Sequence, residues 1–170
     1  MKFLSAHLED LRELYVNHLQ KALDMEEQII DALPAMVENA TNPQLKKALD
    51  NHLDESRNHA TKVERLMLKF GKDDSLECPV LSALVSEAEA GIKDAASDAV
   101  RDVTIIAAAQ QVEHHEIAVY GTLRAWAGLL GDMEQADVIE TILADEKHAD
   151  ILLSGIADRL NFLAEPSIAA

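Results

Sequence analysis

A chain of 170 residues and 18.6 kDa can bury one sizeable core, and 48% hydrophobic but only 4% aromatic content favours helix over sheet. Thirty-one acidic against fifteen basic side chains leave a formal charge of −16, which repels phosphate backbones and argues against nucleic acid as a partner. A lone cysteine, Cys78, rules out an intramolecular disulfide and fits a reducing compartment. The first ten residues lack a long apolar stretch and soon turn acidic, unlike a signal peptide, and no run reaches the length of a membrane span. We therefore expect a cytoplasmic protein with no membrane partner.

The first helix is predicted from Ser5 to Asn39, where Leu8, Leu11, Tyr15, Leu19, Ala22, Ile29, Ile30, Leu33 and Val37 recur at helical spacing. Pro34 lies inside this pattern and predicts a kink. Glu26 falls near the centre of the apolar stripe, whereas Glu27 falls toward its edge. A single glutamate so placed is ordinarily a boundary carboxylate, but the later helices repeat the feature. Thr41-Asn42-Pro43 combines a capping side chain with a proline suited to the first helical position, so an antiparallel second helix follows. That helix is predicted to run to Phe70 and to close at Gly71. Its stripe of Leu45, Ala48, Leu49, Val63, Leu66, Met67 and Phe70 is interrupted on the core side by His52, Glu55, Ser56 and His59. Glu55 and His59, at i and i+4, are spaced to converge on one ion.

A polar turn at Lys72-Asp-Asp-Ser75 leads to a short helix predicted from Val80 to Ala90. About two dozen residues between two long helices suit a crossover along a bundle, which makes the second and third long helices parallel. The third long helix is predicted from Asp98 to Ala127. It places Glu113 and Glu116 on one face with Ala109, Val112, Ile117, Tyr120 and Leu123. Two adjacent acids on a buried stripe are strongly destabilising unless a cation sits between them. Gly128-Leu-Leu-Gly-Asp132 is a short connection to an antiparallel last helix, Met133 to Leu163. Its stripe of Ile139, Ile142, Leu143, Ala149, Leu153, Ile156 and Leu160 holds Glu146 at its middle and Asp150 near its edge. Short loop, long crossover, short loop is the ferritin-like order. The expected fold is all-α, a ferritin-like four-helix bundle whose crossover carries a short extra helix. It forms one domain over residues 1–164, with a flexible tail at 165–170.

Glu26, Glu55, His59, Glu113, Glu116, Glu146 and Asp150 would then meet at mid-bundle. Oxygen-rich ligation with some imidazole suits iron or manganese rather than a thiolate-seeking metal. Two divalent ions would neutralise four of the six negative charges, and two ferric ions all six. Dimetal bundles commonly pair Glu with His at i, i+3 on two helices, and this chain departs from that rule. The near match Asp145-Glu-Lys-His148 is set aside because both its ends fall off the apolar stripe, and His148, His114 and His115 read as surface residues. His52 faces inward one turn from Glu55, either supporting a ligand or as a satisfied core histidine. Tyr120 either hydrogen-bonds a ligand or donates electrons, or packs in the core.

Four segments carry a family resemblance: Asp24-Met-Glu-Glu-Gln-Ile-Ile-Asp-Ala-Leu-Pro-Ala-Met36, His52-Leu-Asp-Glu-Ser56, Val112-Glu-His-His-Glu-Ile-Ala-Val-Tyr-Gly-Thr-Leu123 and Asp145-Glu-Lys-His-Ala-Asp150. Over nearly its whole length the chain resembles the YciE/YciF-like family of bacterial ferritin-like stress proteins. By that resemblance Glu26, Glu55, Glu113, Glu116 and Glu146 stand where the family has its metal-site acids, and Asp150 is carried over with them. His59 stands where many relatives carry Gln, so its ligand role rests on helical phase alone. His115 stands where Tyr is usual. The resemblance implies a rubrerythrin-like di-iron bundle, homodimeric and linked to stress responses, without a settled reaction.

The leading expectation is a dinuclear protein holding two iron ions, or manganese or a mixed pair, that reacts with peroxide or oxygen or sequesters iron. A manganese site of catalase type is the alternative on the same scaffold, and oxygen evolution from peroxide would distinguish it. A helical dimerisation or scaffold module with a structural metal is the alternative from another class. Its Glu113 variant would lose stability without losing any turnover. Storage in a hollow shell and protection of DNA by direct binding find no support in the residues.

Overall fold

Capping side chains start four of the five helices in the computed structural model, which describes residues 8–165. Helix α1 spans Leu11–Asn39, and Asp10 accepts from the Glu13 amide at 2.8 Å. The predicted start at Ser5 lies outside the described residues. Residues 8–10 precede the helix, and Leu8 is exposed rather than part of the stripe. Pro34 faces solvent within α1, which continues through it. Helix α2 spans Pro43–Leu68, with Asn42 accepting from the amides of Gln44 and Leu45 at 2.9 and 3.2 Å. It stops two residues short of the expected Phe70, in a turn through Gly71, whose φ of 66° disfavours a side chain.

Helix α3, Pro79–Asp94, begins on proline without a side-chain cap and is longer than the expected Val80–Ala90. Helices α4 (Asp98–Leu129) and α5 (Met133–Ala164) begin at Ser97 and Asp132, which accept from Val100 and Gln135 amides at 3.2 Å each. Gly131, at φ 80°, turns the chain between them. No strand occurs among the described residues, and no helix there is long and apolar enough to cross a membrane. The expected tail at 165–170 lies outside the described residues except for Glu165, which follows α5.

Helices α1, α2, α5 and α4 pack in that cyclic order, and α3 lies outside the ring against α4 and α1. Polar clasps at the two ends fix the helix directions. At one end, Asp102 of α4 accepts from the Thr41 amide (2.6 Å), the Thr41 hydroxyl (2.7 Å) and the Asn42 amide (2.9 Å) of the α1–α2 turn. At the other, the buried Tyr15 hydroxyl donates to Gln135 at 2.5 Å, and the Gln135 amide donates to the Leu66 carbonyl at 3.2 Å. The end of α1 therefore meets the start of α4, and the end of α2 meets the start of α5. Neighbours in the ring are antiparallel, and α2 and α4 are parallel, as the long crossover requires. Because each clasp satisfies buried polar atoms, register is held at both ends and the middle of the bundle is free to hold other chemistry.

Candidate metal centre

Apolar layers above and below leave a polar slab at mid-bundle. The helical phase that buries Ile29, Leu49, Ala109, Ile142 and Leu143 also turns Glu26, His52, His59, Glu113, Glu116 and Glu146 inward. They form two groups whose nitrogen and oxygen atoms lie within 4.8 Å of one another. One is His52, Glu113, Glu116 and Glu146; the other is Glu26, His59 and Glu146. Glu146 belongs to both. In the first, His52 Nε2 stands 3.4 Å from Glu113 and 3.7 Å from Glu116, and Nδ1 stands 4.0 Å from Glu146. In the second, His59 Nδ1 stands 2.8 Å from Glu146 and 3.7 Å from Glu26.

These approaches are not hydrogen bonds. Both nitrogens of His52, Nδ1 of His59, both oxygens of Glu116 and of Glu146, and one oxygen each of Glu26 and Glu113 are buried without a hydrogen-bond partner. Orphaned buried polar atoms are rare because each costs about 1–3 kcal/mol. Here they converge from four helices on two points.

The electrostatics say the same. Burial, then Glu116 and Glu146, pushes Glu26 well above the usual carboxylate range, and Tyr120 only partly opposes this. Burial and Glu146 do the same to Glu116. Burial also raises Glu113, which His52 partly offsets but Glu116 and Glu146 reinforce, to about 9. Burial alone would lower His52, yet the facing carboxylates of Glu55, Glu113, Glu146 and Glu26 hold it at about 9. Without a cation the cluster must keep protons that it would not hold in water.

Neighbouring side chains orient the inward groups. The Tyr120 hydroxyl donates to Glu26, and burial pushes that phenol well above its usual range. Tyr120 is both packed in the core and hydrogen-bonded to Glu26. Asp145 Oδ2 lies 3.1 Å from His59 Nε2 and 3.8 Å from Lys62. The sequence phase excluded Asp145, but a side chain at the stripe edge reaches round to a neighbouring helix.

Two other expected ligands stand outside both groups. Glu55 does not converge with His59. Its side chain is 43% exposed, 3.8 Å from His52, and belongs to neither group. Asp150 turns from the cluster toward the surface, 3.4 Å from His114 and 3.4 Å from Gln110. In their place His52 stands at the centre of the first group rather than behind a ligand. Its inward phase was visible, but its partners, on α4 and α5, were not. His114 and His148 are exposed as expected, whereas His115 is half-buried, 3.8 Å from the Cys78 sulfur.

The donor set fits a pair of divalent ions. Four ionised glutamates and two neutral imidazoles carry four negative charges, which two such ions balance, and mixed carboxylate and imidazole ligation suits iron or manganese. Glu146, common to both groups, would serve either ion.

Comparison with known proteins places the chain and its fold. A family model described as a domain of unknown function, DUF892, matches residues 10–162. Protein YciF of Escherichia coli strain K12 is 30% identical over 153 residues, 89% of this chain and 92% of its own. The crystal structure of YciF, called there a stress protein, superposes with a TM-score of 0.85 over 89% of this chain and 97% of its own. YcfI of Rhodopseudomonas palustris, provisionally described as a structural protein, is 37% identical with a TM-score of 0.85, over 89% of this chain and 98% of its own. A Xanthomonas campestris protein, 22% identical with a TM-score of 0.74 over 91% and 94%, shares the helical fold.

Proposed function

This chain belongs to the DUF892 family, and we propose that it is a ferritin-like dinuclear carboxylate protein of a stress response, holding two iron ions at mid-bundle. The observation that carries this reading is the pair of buried groups joined at Glu146, with their converging unpartnered atoms. Glu26 and His59 would hold one ion, His52, Glu113 and Glu116 the other, and Glu146 both. When bound, such a pair supplies Lewis acidity and one-electron chemistry toward peroxide or oxygen. The protein's own part is positional. Tyr120 fixes Glu26, Asp145 fixes His59, and the apolar layers keep the carboxylates of Glu26, Glu116 and Glu146 buried. Reaction with peroxide or oxygen and sequestration of iron both follow from such a site. A homodimer in the cytoplasm and small oxidants as partners belong to the same proposal.

Plasma mass spectrometry of untagged protein tests it. About two iron or manganese ions per chain, lost in a folded Glu113→Ala/Glu146→Ala variant, support the reading. A parent that stays metal-free after anaerobic loading with ferrous iron overturns it. The second reading, a scaffold with a structural metal, draws on the provisional description of YcfI. It requires metal uptake without any turnover of peroxide or ferrous iron.

A further inference from the structure

Beside the polar slab lies a cavity of about 470 Å³ between α1, α3 and α4, within the roughly 300–1,000 Å³ of small-molecule pockets. The cavity is partly open to solvent, so it is a groove that a ligand can enter rather than a sealed packing void. Its walls are apolar, built from Ile29, Leu33 and Met36 of α1, Leu84 and Ile92 of α3, and Val112 of α4. Its two ends differ. One is formed by His52 and Glu113 of the metal centre, the other by Lys93 and Arg101 at the end of the bundle. Arg101 and Glu113 both lie on α4, a separation of roughly 18 Å along the helix axis.

The outer end carries Lys93 and Arg101, with Glu89 at its rim. Arg101 is fixed there, donating to the Asn39 carbonyl at 2.9 Å and paired with Asp98 at 2.5 Å. Lys93 is exposed and is the cation that a ligand's head would meet first. The polar side chains of the lining stand at its two ends, and the stretch between them is apolar, where a peptide would leave its backbone groups unpaired. An apolar stretch with Lys93 at its mouth fits an alkyl chain with an anionic head.

We propose that this cavity binds a single-chain anionic amphiphile, a medium-chain alkyl carboxylate, with its head at Lys93 and Arg101 and the far end of its chain against His52 and Glu113. The inference rests on the dimetal reading for what meets the end of the chain, and not for the binding itself. It names the substrate class that the site would receive: an alkyl chain presented by its far end.

The test uses full-length protein, stripped of metal by chelation and shown folded by circular dichroism, titrated calorimetrically with dodecanoate below its micelle concentration. Saturable binding of one molecule per chain is expected. Ala88→Phe and Ala108→Phe, which fill the cavity from α3 and α4, each weaken it by at least about tenfold. Their melting temperature and metal uptake stay at the parent level. Lys93→Glu weakens dodecanoate and leaves dodecanol unchanged; as a surface change it carries the test should the filling variants misfold. Absence of saturable binding, equal binding by both folded filling variants, or dodecyltrimethylammonium binding as tightly as dodecanoate overturns the proposal. A parent that binds dodecanoate but takes up no metal overturns the dimetal reading and leaves this one standing, and the opposite pattern overturns this one alone.

Discussion

The two groups that share Glu146 are built to different degrees of closure. On one side Glu26 and His59 are fully buried, Glu26 held by the Tyr120 hydroxyl and His59 backed by Asp145. On the other, His52 and Glu113 line both the large cavity and a smaller one of about 70 Å³ that also includes Glu55 and His148. One position is sealed and supported by neighbours; the other opens on space that a small molecule can occupy. In metal proteins, closed ligation holds the ion and an open side admits substrate. The proposed ions would therefore be unequal: an anchored ion at Glu26 and His59, and a working ion at His52 and Glu113.

Removing what the two sides share should have the largest effect. Glu146→Ala is expected to take metal content from about two ions per chain to none, read by mass spectrometry on folded protein. Retention of one tightly held ion would show that Glu146 is not common to both positions. Next, His52→Ala and His59→Ala should separate the sides. His52→Ala is expected to keep one ion and lose the more labile one in a chelator titration. The opposite order would invert the assignment of anchored and working positions.

Asp145→Asn probes the support behind the sealed side. It should weaken one of the two binding steps about 10–100-fold and leave the other unchanged, in competition with a chelator. A smaller effect is expected from pH on metal-free protein. Glu26, Glu113 and Glu116 are raised above their unfolded values, as is His52, so the folded state binds more protons than the unfolded state. Their contribution to stability is therefore lost as pH rises from the unfolded carboxylate range toward about 9, the value reached by Glu113 and His52. The melting temperature should fall by about 5 °C or more between mildly acidic and mildly alkaline buffer. Added metal should abolish the fall, because the ions replace the protons. A flat profile without metal would deny that the cluster holds those protons. Smallest of all, Asp150→Asn should leave metal content unchanged, since that carboxylate faces Gln110 and His114; loss of an ion would restore it to the ligand set.

The parts of the site that were legible in the sequence are those that helical phase decides. Glu26, Glu113, Glu116 and Glu146 lie near the centres of their stripes, where a rotation of some tens of degrees still leaves a side chain inside, and all four are buried. Phase did not decide the others. Glu55, read on the core side, and Asp150, read near an edge, swing outward, while Asp145, read as facing away, swings back onto His59. His52 shows the same limit from the other side. Its inward direction was readable on α2, yet its place among Glu113, Glu116 and Glu146 depends on helices far away in sequence.

By itself, then, the sequence determined five helices, the Asn42 cap, the crossover, and the four acids that the stripes of α1, α4 and α5 carry inward, because periodicity and capping are local properties of the chain. Only the tertiary structure decided which inward atoms meet. The clasps at Asp102 and at Tyr15 with Gln135 fix how far each helix slides along its neighbour, and that register divides six side chains into two groups, makes Glu146 common to both, and leaves a cavity beneath α3. Register is set by contacts between residues far apart in the chain, and no spacing within one helix encodes it.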